Sequence, residues 1–180
     1  MASNLDKVIA ELRFLELRPD IRTYRWRFIV QKTAHLAQAL GLQTNYPFTV
    51  YVAGPYSPLL AHEYYAQSDK VNALQTDYEL TTEDMIILTK IKACCDLYQD
   101  RFLMECTSTV VYLMKENPNL GDGDVIAKLR SLKPHLGDST CVIGISKAKE
   151  LLFRPEYLNE ELRKEIEDWC KIHDGFSAGS

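Results

Sequence analysis

Apolar residues recur at three- and four-residue spacing through most of this chain. Leu5, Val8, Ile9, Leu12 and Leu15 predict an amphipathic helix over 4–17. Arg18-Pro19-Asp20 interrupts it, because the residue before proline is pushed out of the α region. A longer helix follows from about Asp20 to Leu40, with Trp26, Ile29, Val30, Thr33, Leu36, Ala37 and Leu40 as its buried stripe and Gly41 as its stop. Residues 47–52 have the β-branched and aromatic content of a strand, and Tyr78-Glu-Leu80 is its candidate partner.

Between these, Gly54-Pro-Tyr-Ser57 reads as a turn that launches a helix. Gly54 admits positive φ, Pro55 suits the first central turn position, Ser57 is an N-cap and Pro58 fits the first helical position. The helix from Pro58 to about Lys70 brings Leu59, His62, Glu63 and Ala66 within reach of one another. Thr81 with Asp84 forms a capping-box signal for the next helix. One apolar line then runs from Ile87 to Leu113, and the polar run Gln99-Asp-Arg101 predicts a break near Asp100. Asn117-Pro118 ends that segment. Asp122 or Asp124 is the expected cap of a short helix ending before Pro134. Further helices are expected from Asp138 to about Phe153 and from Asn159 to His173. The fold class is therefore mostly α, a compact multi-helix domain with a small two-stranded β element. Residues 1–174 form the expected domain, with helix 4–17 a candidate appendage, and 175–180 have the composition of a mobile tail.

Composition narrows the class without naming an activity. With 46% apolar and 26% charged residues the chain is an ordinary globular one. No apolar run approaches the roughly 18–20 residues of a membrane span, and the N-terminus lacks signal architecture, so a cytoplasmic protein with no membrane partner is expected. The five cysteines (Cys94, Cys95, Cys106, Cys141, Cys170) are odd in number and two are adjacent, which suits packed thiols better than disulfides. Net charge is −4, yet residues 1–32 carry seven basic groups against four acids, a basic patch on an acidic body.

Candidate chemistry is sparse. There is no Cys-x-x-Cys, no Gly-rich phosphate loop and no Gly-x-Ser-x-Gly elbow, so no metal, cofactor or catalytic residue is expected and the chain is not read as an enzyme. Arg22-Thr-Tyr-Arg-Trp-Arg-Phe28 interleaves cations with aromatics, as nucleic-acid sites do, but only Arg22 and Arg25 share a helical face. Tyr51, Tyr56, Tyr64 and Tyr65 gather near the Gly-Pro corner, and aromatics of this kind anchor protein interfaces or cover a small core.

A resemblance adds to this. Val30-Gln-Lys-Thr-Ala-His-Leu36, Gly41-Leu42, Phe48-x-x-Tyr51-x-x-Gly54-Pro-Tyr-Ser57-x-x-Leu60, Leu103-x-Glu105-x-x-Ser108-Thr109-x-x-Tyr112-Leu113 and Asp124-x-Ile126-x-x-Leu129-x-x-Leu132-Lys133-Pro134 together span most of residues 26–153. The pattern resembles the small helical family of Panacea and SocA-like antitoxin domains and their phage-associated and archaeal relatives, in particular a prokaryotic branch with the Gly-Pro-Tyr-Ser corner. Ala53 departs from it, since relatives often carry a polar or aromatic residue there. The resemblance implies a mostly helical domain with a small β element. It brings no catalytic motif, and toxin neutralisation enters only as analogy.

Two functions are carried forward. The first is a non-enzymatic interaction or regulatory module, antitoxin-like, whose protein partner meets Tyr56, Ser57, His62 and Tyr65, with Arg22 and Arg25 supplying charge. The alternative is a nucleic-acid-binding transcriptional regulator using the basic N-terminal helix or a helix-turn-helix-like segment from Lys128 to Lys147. This many apolar stripes is also compatible with a homodimer.

Overall fold

A computed structural model describes residues 3–153 together with Lys164. In chain order its elements are α1 (Asn4–Phe14), α2 (Tyr24–Leu40), β1 (Thr49–Tyr51), β2 (Gly54–Tyr56), α3 (Pro58–Ala66), α4 (Ser68–Asn72), α5 (Thr82–Ala93), a 3-10 turn (Cys95–Tyr98), α6 (Arg101–Glu116), α7 (Asp122–Leu132) and α8 (Asp138–Leu152). The molecule is mostly α with one small antiparallel sheet, as the periodicity predicts. The helix expected over 159–173 and the tail 175–180 lie outside the described residues. Among the described residues no helix is long and apolar enough to cross a membrane.

α2 organises the packing. One side of it, through Ile29, Leu36 and Ala37, joins a core with Leu88, Ile91, Val110 and Leu129 from α5, α6 and α7. The other side, through Val30 and Ala34, joins a second core with Leu5, Ile9, Leu60 and Tyr64 from α1 and α3. A helix that walls two cores has no polar face to spare, and every residue from Phe28 to Ala37 is buried, Gln31, Lys32 and His35 included. The expected stripe is thus only part of what α2 buries, and its ends, Trp26 and Leu40, remain half-buried. Burial holds His35 neutral, its pKa depressed to about 3, with the neighbouring Lys32 charge adding to the effect.

Several boundaries follow local rules. Thr81 and Asp84 form a reciprocal capping box at α5. Asp100 accepts from the amides of Phe102 and Leu103, so the long apolar line does break there. α1 stops at Phe14, short of the expected 17, because Glu16 adopts φ 59° and Leu17 N donates back to Leu12 O at 2.9 Å. This is the Schellman arrangement with a glutamate where glycine is usual. Gly121, and not Asp122 or Asp124, is the N-cap of α7; both aspartates lie in its first turn, where the helix dipole favours them.

The strand pairing also differs from expectation. β1 pairs with β2, placing Thr49 opposite Tyr56, Val50 opposite Pro55 and Tyr51 opposite Gly54, while residues 78–80 form no strand. The Gly-Pro-Tyr corner is therefore a strand, and the turn is Val52-Ala53 one step earlier. Neither turn residue takes positive φ, so Gly54, at φ 91°, supplies the twist that returns the chain. Space demands glycine as well: a Cβ there would meet Thr109 Oγ1 at 3.1 Å and Lys32 Cε at 3.3 Å.

One buried group is at odds with its surroundings. Glu11 of α1 is fully buried, and neither carboxylate oxygen has a hydrogen-bond partner among the described residues. Burial, with the Asp84 charge adding, holds its carboxyl well above the usual value of 4.5. Above about pH 4.5 the unfolded chain ionises at this position while the folded one retains its proton, so stability falls as pH rises. Glu11→Met is expected to raise stability at pH 7.5 by on the order of 1–4 kcal/mol, with a much smaller gain near pH 4. Urea titrations at the two pH values check this; an equal effect at both would show that proton linkage is not the cause.

Candidate functional site

Short hairpins are marginal by themselves, because two strands leave most backbone groups unpaired. Here helices supply the missing partners. Lys133, just past the end of α7, donates from Nζ to Tyr51 O at 2.6 Å and also to Val52 O, gripping the hairpin tip. Lys32 of α2 donates to Pro55 O at 2.6 Å. Gln31, one residue earlier, closes a two-way amide pair with Ser57, accepting from its N at 2.9 Å and donating to its O at 3.0 Å. Ser57 in turn caps α3 by accepting from Leu60 N. The corner is thus pinned from β1 to the first turn of α3.

Beneath it lies a buried charge network. Glu105 of α6 is 1% exposed and accepts from Lys133 Nζ at 3.1 Å. Its Oε1 also meets His135 Nε2 at 3.1 Å, and His135 is half-exposed. Lys32 forms no ion pair among the described residues. Desolvation depresses its pKa to about 7; Glu105 opposes that shift and Lys133 reinforces it. Burying such groups is costly unless each charge is matched and hydrogen-bonded, and Lys133 satisfies this with three acceptors.

Above the network, α2, the hairpin and α3 line a half-open cavity of about 320 Å³. Six aromatic rings line it: Tyr24, Phe28, Tyr51, Tyr56, Tyr64 and Tyr65. Tyr51 and Tyr56 meet edge to face with centroids 5.4 Å apart, and Tyr64 and Tyr65 lie 4.9 Å apart. Arg27 also lines the cavity; its Nη1 donates to Ile21 O and Arg22 O, and its guanidinium sits 5.9 Å from the Tyr65 centroid. Arg101 of α6 stacks near both Tyr24 and Phe102 on the adjoining surface.

The expected site residues divide accordingly. Tyr56 and Tyr65 share the cavity wall, and Tyr65 is 57% exposed. Ser57 is fully buried and acts as a structural cap. Arg22 is exposed and bound to Asp20 at 2.8 Å, outside the cavity. Arg25 lines a neighbouring cavity of about 340 Å³ with Tyr24 and Arg101. His62 is exposed on α3 and is not part of the cavity lining. Missing from the expectation were Arg27, Gln31, Lys32, Glu105 and Lys133. The signal existed: Gln31-Lys32 interrupts a run that α2 must bury on all sides, and Lys133 sits in a Leu-Lys-Pro run whose helix ends there.

Gln31, Lys32, Gly54, Ser57, Glu105, Thr109 and Lys133 come together around one hairpin. Comparison with protein-family models, with curated proteins and with solved structures gives no match.

Proposed function

We propose that this chain is a non-enzymatic protein-interaction module that presents the hairpin and its flanking aromatics to a partner protein. One observation carries the proposal: half-exposed tyrosines and Arg27 line a preformed cavity on a backbone that side chains hold from below. Tyr24, Tyr51 and Tyr65 are each about half exposed, at 52%, 51% and 57%, and Val52 at the hairpin tip is 89% exposed. Tyr and Arg are enriched at the energetic centres of interfaces, and rigid backbones lose less entropy on binding. The resemblance to Panacea and SocA-like antitoxin domains points the same way, toward a toxin-like protein as the partner, and that step is an analogy.

The nucleic-acid alternative has less support. The N-terminal cations are largely occupied: Arg13 donates to Thr76 O and Tyr78 O, Arg22 binds Asp20, Arg27 is held by two carbonyls and Lys32 is buried. A phosphate-tracking surface needs such groups free.

The test is affinity purification of the tagged protein from its host at low salt, in parallel with a Tyr56→Ala/Tyr65→Ala variant. A stoichiometric protein partner that binds the variant about 30-fold more weakly or worse, the effect of losing a hot spot of ~2 kcal/mol, is the expected result. Undiminished affinity in the variant would remove these residues from the interface. Nucleic acid that co-elutes and leaves as salt rises would favour the regulator instead.

A further inference from the structure

The cavity under the hairpin has a chemical bias that a protein-docking surface does not require. Two cations, Lys32 and Arg27, line it, and among the described residues no aspartate or glutamate does. This occurs in a chain of net charge −4. Lys32 commits one of its three donors, to Pro55 O. Its nitrogen stands 5.0 Å from the Phe28 centroid, and the nearest acid in the network, Glu105, is already taken by Lys133 and His135. An amine placed in an aromatic cavity with donors to spare, and with no ion pair of its own among the described residues, is half of an ion pair.

We propose that the cavity binds a small monocarboxylate carried on an aromatic or compact apolar body. Lys32 Nζ receives the carboxylate, Arg27 reinforces the field from the rim, and the rings of Phe28, Tyr56 and Tyr65 enclose the body. Size agrees: at about 320 Å³ the cavity stands at the small end of ligand sites, which run from roughly 300 to 1,000 Å³. Charge agrees as well, since one buried ammonium matches one negative charge and the aromatic walls would leave a phosphate dianion poorly solvated. The depressed pKa of Lys32 makes binding proton-linked. A bound carboxylate favours the charged amine, so affinity is expected to fall as pH rises through and above about 7. Nothing in this inference depends on a protein partner.

The experiment uses the full chain, with phenylacetate and benzoate as probes against the uncharged phenylacetamide and benzamide. Calorimetry and amide chemical-shift mapping give the readouts. Ligands of about ten non-hydrogen atoms at modest efficiency should reach a Kd of ~1 mM or tighter. The acids are expected to bind at least about tenfold more tightly than the amides near pH 6.5, and to lose that preference near pH 9. Shifts should centre on the amides of Gly54, Tyr56 and Tyr65. Lys32→Met should abolish the acid preference, and Tyr65→Ala should weaken acids and amides alike. Should Lys32→Met fail to fold, the acid–amide pair and the pH series on the unaltered protein still decide. Equal binding of acids and amides, an acid preference unchanged by pH, shifts centred elsewhere, or no binding by either acid each overturns the proposal.

Discussion

Replacing Lys133 by methionine is expected to destabilise the protein by about 3–5 kcal/mol, the range seen when one member of a buried ion pair is removed. The side chain is fully buried, and its nitrogen is shared among Glu105 Oε1, Tyr51 O and Val52 O. Methionine keeps much of the volume and none of the donors. Glu105 is then left in a site where 1% of its surface meets water, with His135 as its remaining partner. Two hairpin carbonyls lose their acceptor role at the same time, and an unmade buried hydrogen bond costs on the order of 1–3 kcal/mol. Urea denaturation at neutral pH measures the loss. Hydrogen exchange at residues 49–56 should show the hairpin opening before the helices do. Adding Glu105→Gln should recover part of the stability, because it removes the unmatched charge. A loss below about 1 kcal/mol, or a double variant no more stable than the single one, would mean that the pair contributes little and packing alone holds the hairpin.

The second large effect lies where α6 crosses α8. A Cβ built on Gly144 would stand 2.5 Å from Cys106 Sγ, 2.9 Å from Cys106 Cβ and 3.3 Å from Thr107 N. The first atom could swing aside; the second and third belong to the helix itself, so α6 and α8 must separate. Gly144→Val is expected to destabilise by about 3 kcal/mol, the upper part of the usual overpacking range. Any gain in helix propensity over glycine is smaller than that. Pairing it with Cys106→Ala removes the sulfur and should recover part of the loss, a non-additivity that a double-mutant cycle reads directly. Cys106 is well suited to the crossing as it stands: burial, with Cys141 beside it, pushes its thiol up to about 12, so it packs as a neutral group. Thermal and urea unfolding that place Gly144→Val within about 0.5 kcal/mol of the parent would show the two helices to be looser than the close contact implies.

The hairpin shows how far sequence reasoning reaches. Ser57 as N-cap and Pro58 at the first helical position were legible, because capping depends on residues within one turn of each other. The strand at 47–52 was legible in kind and wrong in partner. Residues 78–80 carry comparable strand-like content, and nothing local says that Gly54-Pro55-Tyr56 folds back after two residues. The aromatic cluster was half legible: Tyr56 and Tyr65 share a wall, while Arg22 and His62 lie away from it. Arg27, which shares no helical face with Arg25, is the arginine that borders the cavity, while Arg22 precedes α2.

What the sequence determined by itself is the mostly helical class, the capping box of Thr81 and Asp84, the Ser57 cap, the break at Asp100 and the presence of a corner near Gly54. Each of these follows from side chains acting on a backbone a few residues away. Tertiary structure alone decided that the middle of α2, from Phe28 to Ala37, is buried on all sides, that the corner is the second strand of a hairpin, and that Lys32, Glu105 and Lys133 meet beneath it. Those residues are separated by 73 and 28 positions. A lysine in a helical pattern reads as solvated until the fold closes a second core over it. Only then does its charge need a carbonyl, a carboxylate or a ligand.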